Sequence, residues 1–138
     1  MGDHTALGFD FGLKKIGVAV GQTITKTASP LTQLITEKGE PPWKEISALI
    51  KLWHPFALVV GKPLNMDGTT QPITEAAEKF ALALEAHYGL KVHLVDERLS
   101  TVAARSELFE KGGYRVLSKK NIDAVSAQII LQEWLNQL

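Results

Sequence analysis

The stretch ALGFDFGLKKIGVAVG, residues 6–21, reads as a buried β-hairpin with one discordant residue, Asp10. Two apolar runs, 5–11 and 15–21, flank GLKK and lie close enough along the chain to pair antiparallel. Alternation along a strand puts Leu7, Phe9 and Phe11 on one side and Gly8, Asp10 and Gly12 on the other. The second run divides the same way, with Ile16, Val18 and Val20 opposed to Gly17, Ala19 and Gly21. One face is therefore bulky, and the other is stripped of bulk around a carboxylate. An unpartnered carboxylate in an apolar strand costs several kcal/mol, so its surroundings must supply a cation, a hydrogen-bond network or a raised pKa. Interior glycines weaken a strand and give it nothing to pack, so the cleared face predicts a surface kept open for a ligand or metal. Its structural alternative is a helix lying flat on a glycine floor.

Outward from the hairpin, a third run near 27–35 extends the sheet. PPWKEISALIKLWHP then places Trp43, Ile46, Ile50 and Trp53 on one helical face, bounded by prolines before and by Pro55 after. FALVVG (56–61) and KVHLVDE (91–97) are continuous apolar runs of the kind buried on both faces. Between them lie the loop KPLNMDGTTQP and an amphipathic helix over about 73–88 that ends at Gly89. Strand, helix, strand at this spacing implies a right-handed crossover and a parallel pair. Ser100 is placed as the N-cap of a helix stopping at Gly112 and Gly113, and a final helix covers 119–136. The order argues for a mixed sheet covered by helices on both sides.

At 138 residues, with 45% hydrophobic and 22% charged residues and no break in the apolar signal, the chain is expected to form a single domain over 1–138. No run approaches a membrane span and MGDHTALGF lacks the features of a signal peptide, so the expected location is cytoplasmic, without a membrane partner. The absence of cysteine excludes disulfides, thiolate zinc sites and a cysteine nucleophile. Fifteen basic and fifteen acidic residues cancel, so any basic patch for nucleic acid must be local.

Two further acidic positions join Asp10. Asp96 and Glu97 end an apolar strand, where ligands bind in sheets covered on both faces; they point to opposite faces, so one of them can share a site with Asp10. Asp123 begins a helical face that continues through Ala127, Ile130 and Trp134. Each acid alone has a plain structural reading, as a solvated strand end paired with Arg98 or as a first-turn acid answering the helix dipole. Together they suggest converging carboxylates, which Mg²⁺ or Mn²⁺ commonly holds ionised, oxygen ligands favouring such hard ions. The four histidines show no metal-ligand spacing, GKP at 61–63 is no phosphate loop, and Trp43, Trp53 and Trp134 fall at helical core positions expected to pack.

GFDFGLKKIGVAVG, VVGKPLNMDGT, DERLST and KKNIDAVSAQIILQEWL, in that order, resemble the YqgF (RuvX) family of Holliday-junction-resolvase-like nucleases within the ribonuclease H-like superfamily. The resemblance covers nearly the whole chain. It implies a ribonuclease H-like, five-stranded mixed sheet, a magnesium-dependent phosphodiesterase site, and a role in maturing the 5′ end of pre-16S rRNA on the ribosomal small subunit. It carries the catalytic, metal-binding acids onto Asp10, Glu97 and Asp123. The resolvases proper carry a fourth acid one helical turn before the last, where this chain has Lys120, which weakens the case for junction resolution.

The mechanism that follows is metal-assisted hydrolysis, with Asp10 bridging two ions and Glu97 and Asp123 each completing one shell. Lys14, Lys15, Lys62, Arg98, Lys119 and Lys120 lie at loops and element ends beside the acids and are candidate contacts to backbone phosphate; Asn65 joins them from a polar turn with Asp67, Gly68 and Thr70. Branched DNA is the alternative substrate, and a homodimer is the assembly allowed for. An actin-like or sugar-kinase ATPase shares a similar hairpin but needs two lobes, which 138 residues do not supply. A non-catalytic RNA- or ribosome-binding module is the remaining rival.

Overall fold

In the computed structural model, which describes residues 4–99 and 119–138, the hairpin forms as read. Strand β1 (Thr5–Phe11) pairs antiparallel with β2 (Lys15–Gln22), with Asp10 opposite Gly17. Strand β3 (Thr27–Ile35) pairs antiparallel with β2 and shifts register between Val18 and Ala19, beside Pro30, a residue that cannot donate to a ladder and suits an edge. Helix α1 (Trp43–Trp53) and strand β4 (Ala57–Lys62) follow, then helix α2 (Pro72–Tyr88), strand β5 (Lys91–Asp96), a short 3-10 turn (Glu97–Leu99) and helix α3 (Lys119–Asn136). Strands β1, β4 and β5 are parallel, and the five-stranded mixed sheet runs β3-β2-β1-β4-β5. The helix expected between Ser100 and Gly113 lies outside the described residues.

Strand parity sorts the core into two layers. Leu7, Phe9, Phe11, Ile16 and Val18 bury against Ile46 of α1 and Ala77, Phe80 and Leu84 of α2, and Phe9 meets Phe80 edge-on at 5.7 Å between ring centres. Burying side chains of this size contributes about 1.5–3 kcal/mol each. Ala6, Ala19, Ala57, Val59 and Val95 bury against Ala127, Ile130, Leu131, Trp134 and Leu135 of α3. Trp43 packs on Phe80 and His87, and Trp134 on Phe56 and His93, so these two indoles serve the core as expected.

Two readings need correction. The glycine-lined face is the seat of a helix: a methyl at Gly8 would come within 2.8 Å of Leu131 Cβ, and one at Gly17 would run into the Asp123 carbonyl. Small residues there let α3 lie directly on the sheet, and only the end of that face near Asp10 carries acids. Strand β5 is not buried on both faces either. It is the last strand of the sheet among the described residues; Val95 alone is fully buried and Leu94 remains 43% exposed.

Helix α3 also serves the opposite edge. Gln128 Nε2 donates to the Ala28 carbonyl at 2.9 Å, the Ala28 amide donates to Gln132 Oε1 at 3.2 Å, and Gln132 Nε2 donates to the Lys26 carbonyl at 2.7 Å. The glutamines thereby satisfy main-chain groups that β3 would otherwise turn toward solvent.

Candidate active site

Parity also decides which acid joins Asp10. Gly8 and Asp10 of β1 and Val59 and Gly61 of β4 line the α3 side, and Val95 of β5 is buried on that same side. Glu97, two residues beyond Val95, continues it, and its Oε1 lies 2.6 Å from where a methyl on Gly61 would sit. Gly61 is the residue sequence reasoning missed; its place on the parity of Asp10, at the end of an apolar run, was the available signal. Asp96 falls on the opposite face, in register with Lys62.

Asp10 is a partly buried residue at the end of β1, and its carboxyl is pushed well above the usual carboxylate range. Burial is the largest cause, followed by the charges of Glu97 and Asp123 and by a hydrogen bond shared with Glu97. Glu97 is raised as well, mainly by burial, while the bond to Asp10 pulls it back and the Asp96 charge adds to the rise. Asp123, delivered by the first turns of α3, is raised by burial and pulled back by Lys15. The three acids thus act on one another at the carboxyl ends of the parallel strands. As the side chains stand, no group of three or more His, Cys, Asp or Glu among the described residues is gathered closely enough to hold a metal ion. Instead a side-chain hydrogen bond links Asp10 and Glu97. The all-oxygen donor chemistry of the three acids still suits a hard divalent cation.

The basic candidates part company. Lys15 stands beside Asp123 at the start of β2. Lys14 lies in the β1–β2 turn, pinned by Thr36, whose amide donates to the Lys14 carbonyl at 3.0 Å and whose hydroxyl donates to the Leu13 carbonyl at 2.6 Å. Lys62 turns to the α2 side, 3.8 Å from Glu78. Arg98 turns its fork onto Asp96, Nε at 3.1 Å from both carboxylate oxygens and Nη2 at 2.7 Å from Oδ2, which holds Asp96 below the usual range. Asn65 bonds inside its own loop, Nδ2 donating to Thr69 Oγ1 at 2.9 Å. Lys119 and Lys120 belong to the first turn of α3, and their side chains lie outside the described residues. His93 packs partly buried against Trp134, with its pKa lowered by burial and by Lys91.

The family described as RuvX: Holliday junction resolvase matches residues 4–137. A protein of Yersinia pestis (strain Pestoides F) named "Putative pre-16S rRNA nuclease" is 51% identical over 137 residues, covering 99% of this chain and 98% of the relative. A protein of the same name from Yersinia pseudotuberculosis (serotype IB, strain PB1/+) is 50% identical over the same length. Among solved structures, T. thermophilus RuvC in complex with Holliday junction substrate superposes with a TM-score of 0.56 at 17% identity, over 97% of this chain and 94% of that one. The Fowlpox virus resolvase with Holliday junction DNA gives 0.58 at 10% identity, over 96% and 97%. Those two likenesses speak to the fold, which is the ribonuclease H-like fold of the resolvases. With relatives at this identity and a match along nearly its whole length, the chain belongs to the RuvX family.

Proposed function

We propose that this chain is a nuclease that hydrolyses phosphodiester bonds in the 5′ region of pre-16S rRNA, in the cytoplasm, with Mg²⁺ or Mn²⁺ as cofactor. The observation that supports the reading is that Glu97 and Asp123, from two other elements, both act on the partly buried Asp10 carboxyl and raise it, with Glu97 hydrogen-bonded to it. Burial and the neighbouring acids push Asp10 toward its protonated form, a cost that a bound divalent cation would offset. Asp10, Glu97 and Asp123 would hold the cation. When bound, it supplies acidification of an attacking water and neutralisation of charge on the leaving oxygen.

The chain's own residues set the stage for that chemistry. Asp10, whose carboxyl is raised, would have to ionise to hold the cation. Gly61 leaves the room into which Glu97 turns, and Gly17 lets the α3 backbone at Asp123 lie directly on β2. Lys15 would present positive charge to substrate phosphates, with Lys14, Lys119 and Lys120 as further candidates from neighbouring element ends and Asn65 from its polar loop. A membrane plays no part in this reading: no helix among the described residues is long and apolar enough to cross one.

The test is cleavage of end-labelled pre-16S rRNA, and of a four-way DNA junction, by wild type and Asp10→Asn with Mg²⁺, Mn²⁺ or chelator. Metal-dependent cutting of the RNA by wild type alone supports the proposal. Preferential cutting of the junction would make the protein a resolvase despite Lys120. Binding of RNA without cutting of either substrate would make it a binding module.

A further inference from the structure

Asp96 and Arg98 flank Glu97, and the structure joins them around it. The Arg98 amide donates to Asp96 Oδ1 at 2.9 Å, closing a turn with Glu97 inside, and the guanidinium clasps the same carboxylate through Nε and Nη2. The remaining arm reaches across to another element: Nη1 donates to the Met66 carbonyl at 3.4 Å. The guanidinium also lies over Gly68, where a methyl would come within 3.3 Å of Nη1 and where φ is +90°. That loop is already built as a small hairpin. The Asn65 amide donates to the Thr69 carbonyl and the Gly68 amide to the Asn65 carbonyl, each at 2.9 Å, while Asp67 Oδ1 accepts from both the amide and the hydroxyl of Thr69. At its tip Met66 is held 88% exposed.

We infer that Arg98 is a positioning residue, a latch that locks the 64–70 loop to the turn carrying Glu97, so that the loop and this acid face a substrate as one rigid unit. Its guanidinium is already engaged by Asp96 and the loop, so phosphate contact falls to the lysines. The inference rests on the nuclease reading for its catalytic consequence, whereas the latch itself is a property of the folded chain.

The experiment compares full-length wild type with Arg98→Ala, Arg98→Lys and Asp96→Asn. Three quantities are read: amide hydrogen exchange at Asn65 and Gly68, binding of pre-16S rRNA in chelator as a function of salt, and single-turnover cleavage at saturating enzyme. In Arg98→Ala the loop amides should exchange about tenfold faster or more while core amides of β1 keep their protection. Saturated cleavage should fall by about tenfold while the binding constant stays within about twofold and its salt slope is unchanged. Arg98→Lys, which restores charge but not the fork, should share these losses, and Asp96→Asn should reproduce them more weakly. A salt slope reduced by about one, restored by Arg98→Lys, would make Arg98 a phosphate contact and overturn the inference. So would unaltered exchange at Asn65 and Gly68. If wild type neither binds nor cuts nucleic acid, the nuclease reading fails on that result while the exchange comparison still decides the latch.

Discussion

Asp10 is the residue at which folding and the proposed chemistry pull in opposite directions. An acid whose folded pKa is raised binds more protons in the native than in the unfolded state, so stability falls as pH rises through the interval between the two values. Asp10, Glu97 and Asp123 are all raised from ordinary values of 3.8, 4.5 and 3.8, so the metal-free protein should lose stability as pH climbs from about 4 toward the raised values. Asp96 has the opposite sign: its folded value is lowered by Arg98, and its contribution is lost as pH falls below the carboxylate range. Asp10→Asn should therefore melt higher than wild type at neutral pH in chelator, by about 0.5–2 kcal/mol, while cleaving at least about a thousandfold more slowly. Denaturant melts at several pH values read the first effect and the labelled-RNA assay the second. A variant less stable than wild type at neutral pH would mean that the Asp10 carboxylate is not under strain.

At the scale of the elements, the glycine floor ties helix docking to the site. A methyl at Gly17 meets the Asp123 backbone, so Gly17→Ala should push the start of α3 off the sheet, cost about 1–3 kcal/mol and cut cleavage sharply. Gly8→Ala meets Leu131 further along the helix and should cost comparable stability with a smaller loss of rate at saturation. Urea melts paired with single-turnover rates separate the two variants. Most of this layer was legible: alternation in 5–11 and 15–21 gave both faces of the hairpin, and the closing helix expected over about 119–136 is there. What glycine does not encode is whether empty space is meant for a ligand or for another backbone, which is why the floor read as an open surface. The run 91–96 misled for a related reason, since a valine- and leucine-rich strand looks alike at a sheet's centre and at its edge. The family resemblance chose Glu97 over Asp96; strand alternation alone left the two open, and the burial of Val95 against α3 supplies the physical reason. The second partner of Arg98, a carbonyl thirty-two residues away, has no local signature at all.

For the molecule as a whole, fifteen positive and fifteen negative charges give no net charge to draw in RNA, so the proposed binding would rest on a local set of lysines. With Lys14, Lys15, Lys119 and Lys120 as the proposed contacts and about 0.7 released counterions per phosphate on single strands, log K against log salt should slope no more steeply than about −3. Filter binding or fluorescence titration in chelator measures it, and a much steeper slope would point to a second basic surface.

The two glutamines that cap β3 have a bearing beyond the edge they cover. They sit on the helix that also delivers Asp123 and roofs the glycine floor. Gln128→Leu with Gln132→Leu would leave β3 free to recruit a strand from another copy, and sedimentation velocity should reveal self-association alongside a loss of cleavage. On the proposed function, edge protection and chemistry would be inherited together on the same eighteen-residue helix, and selection on either one would constrain the other.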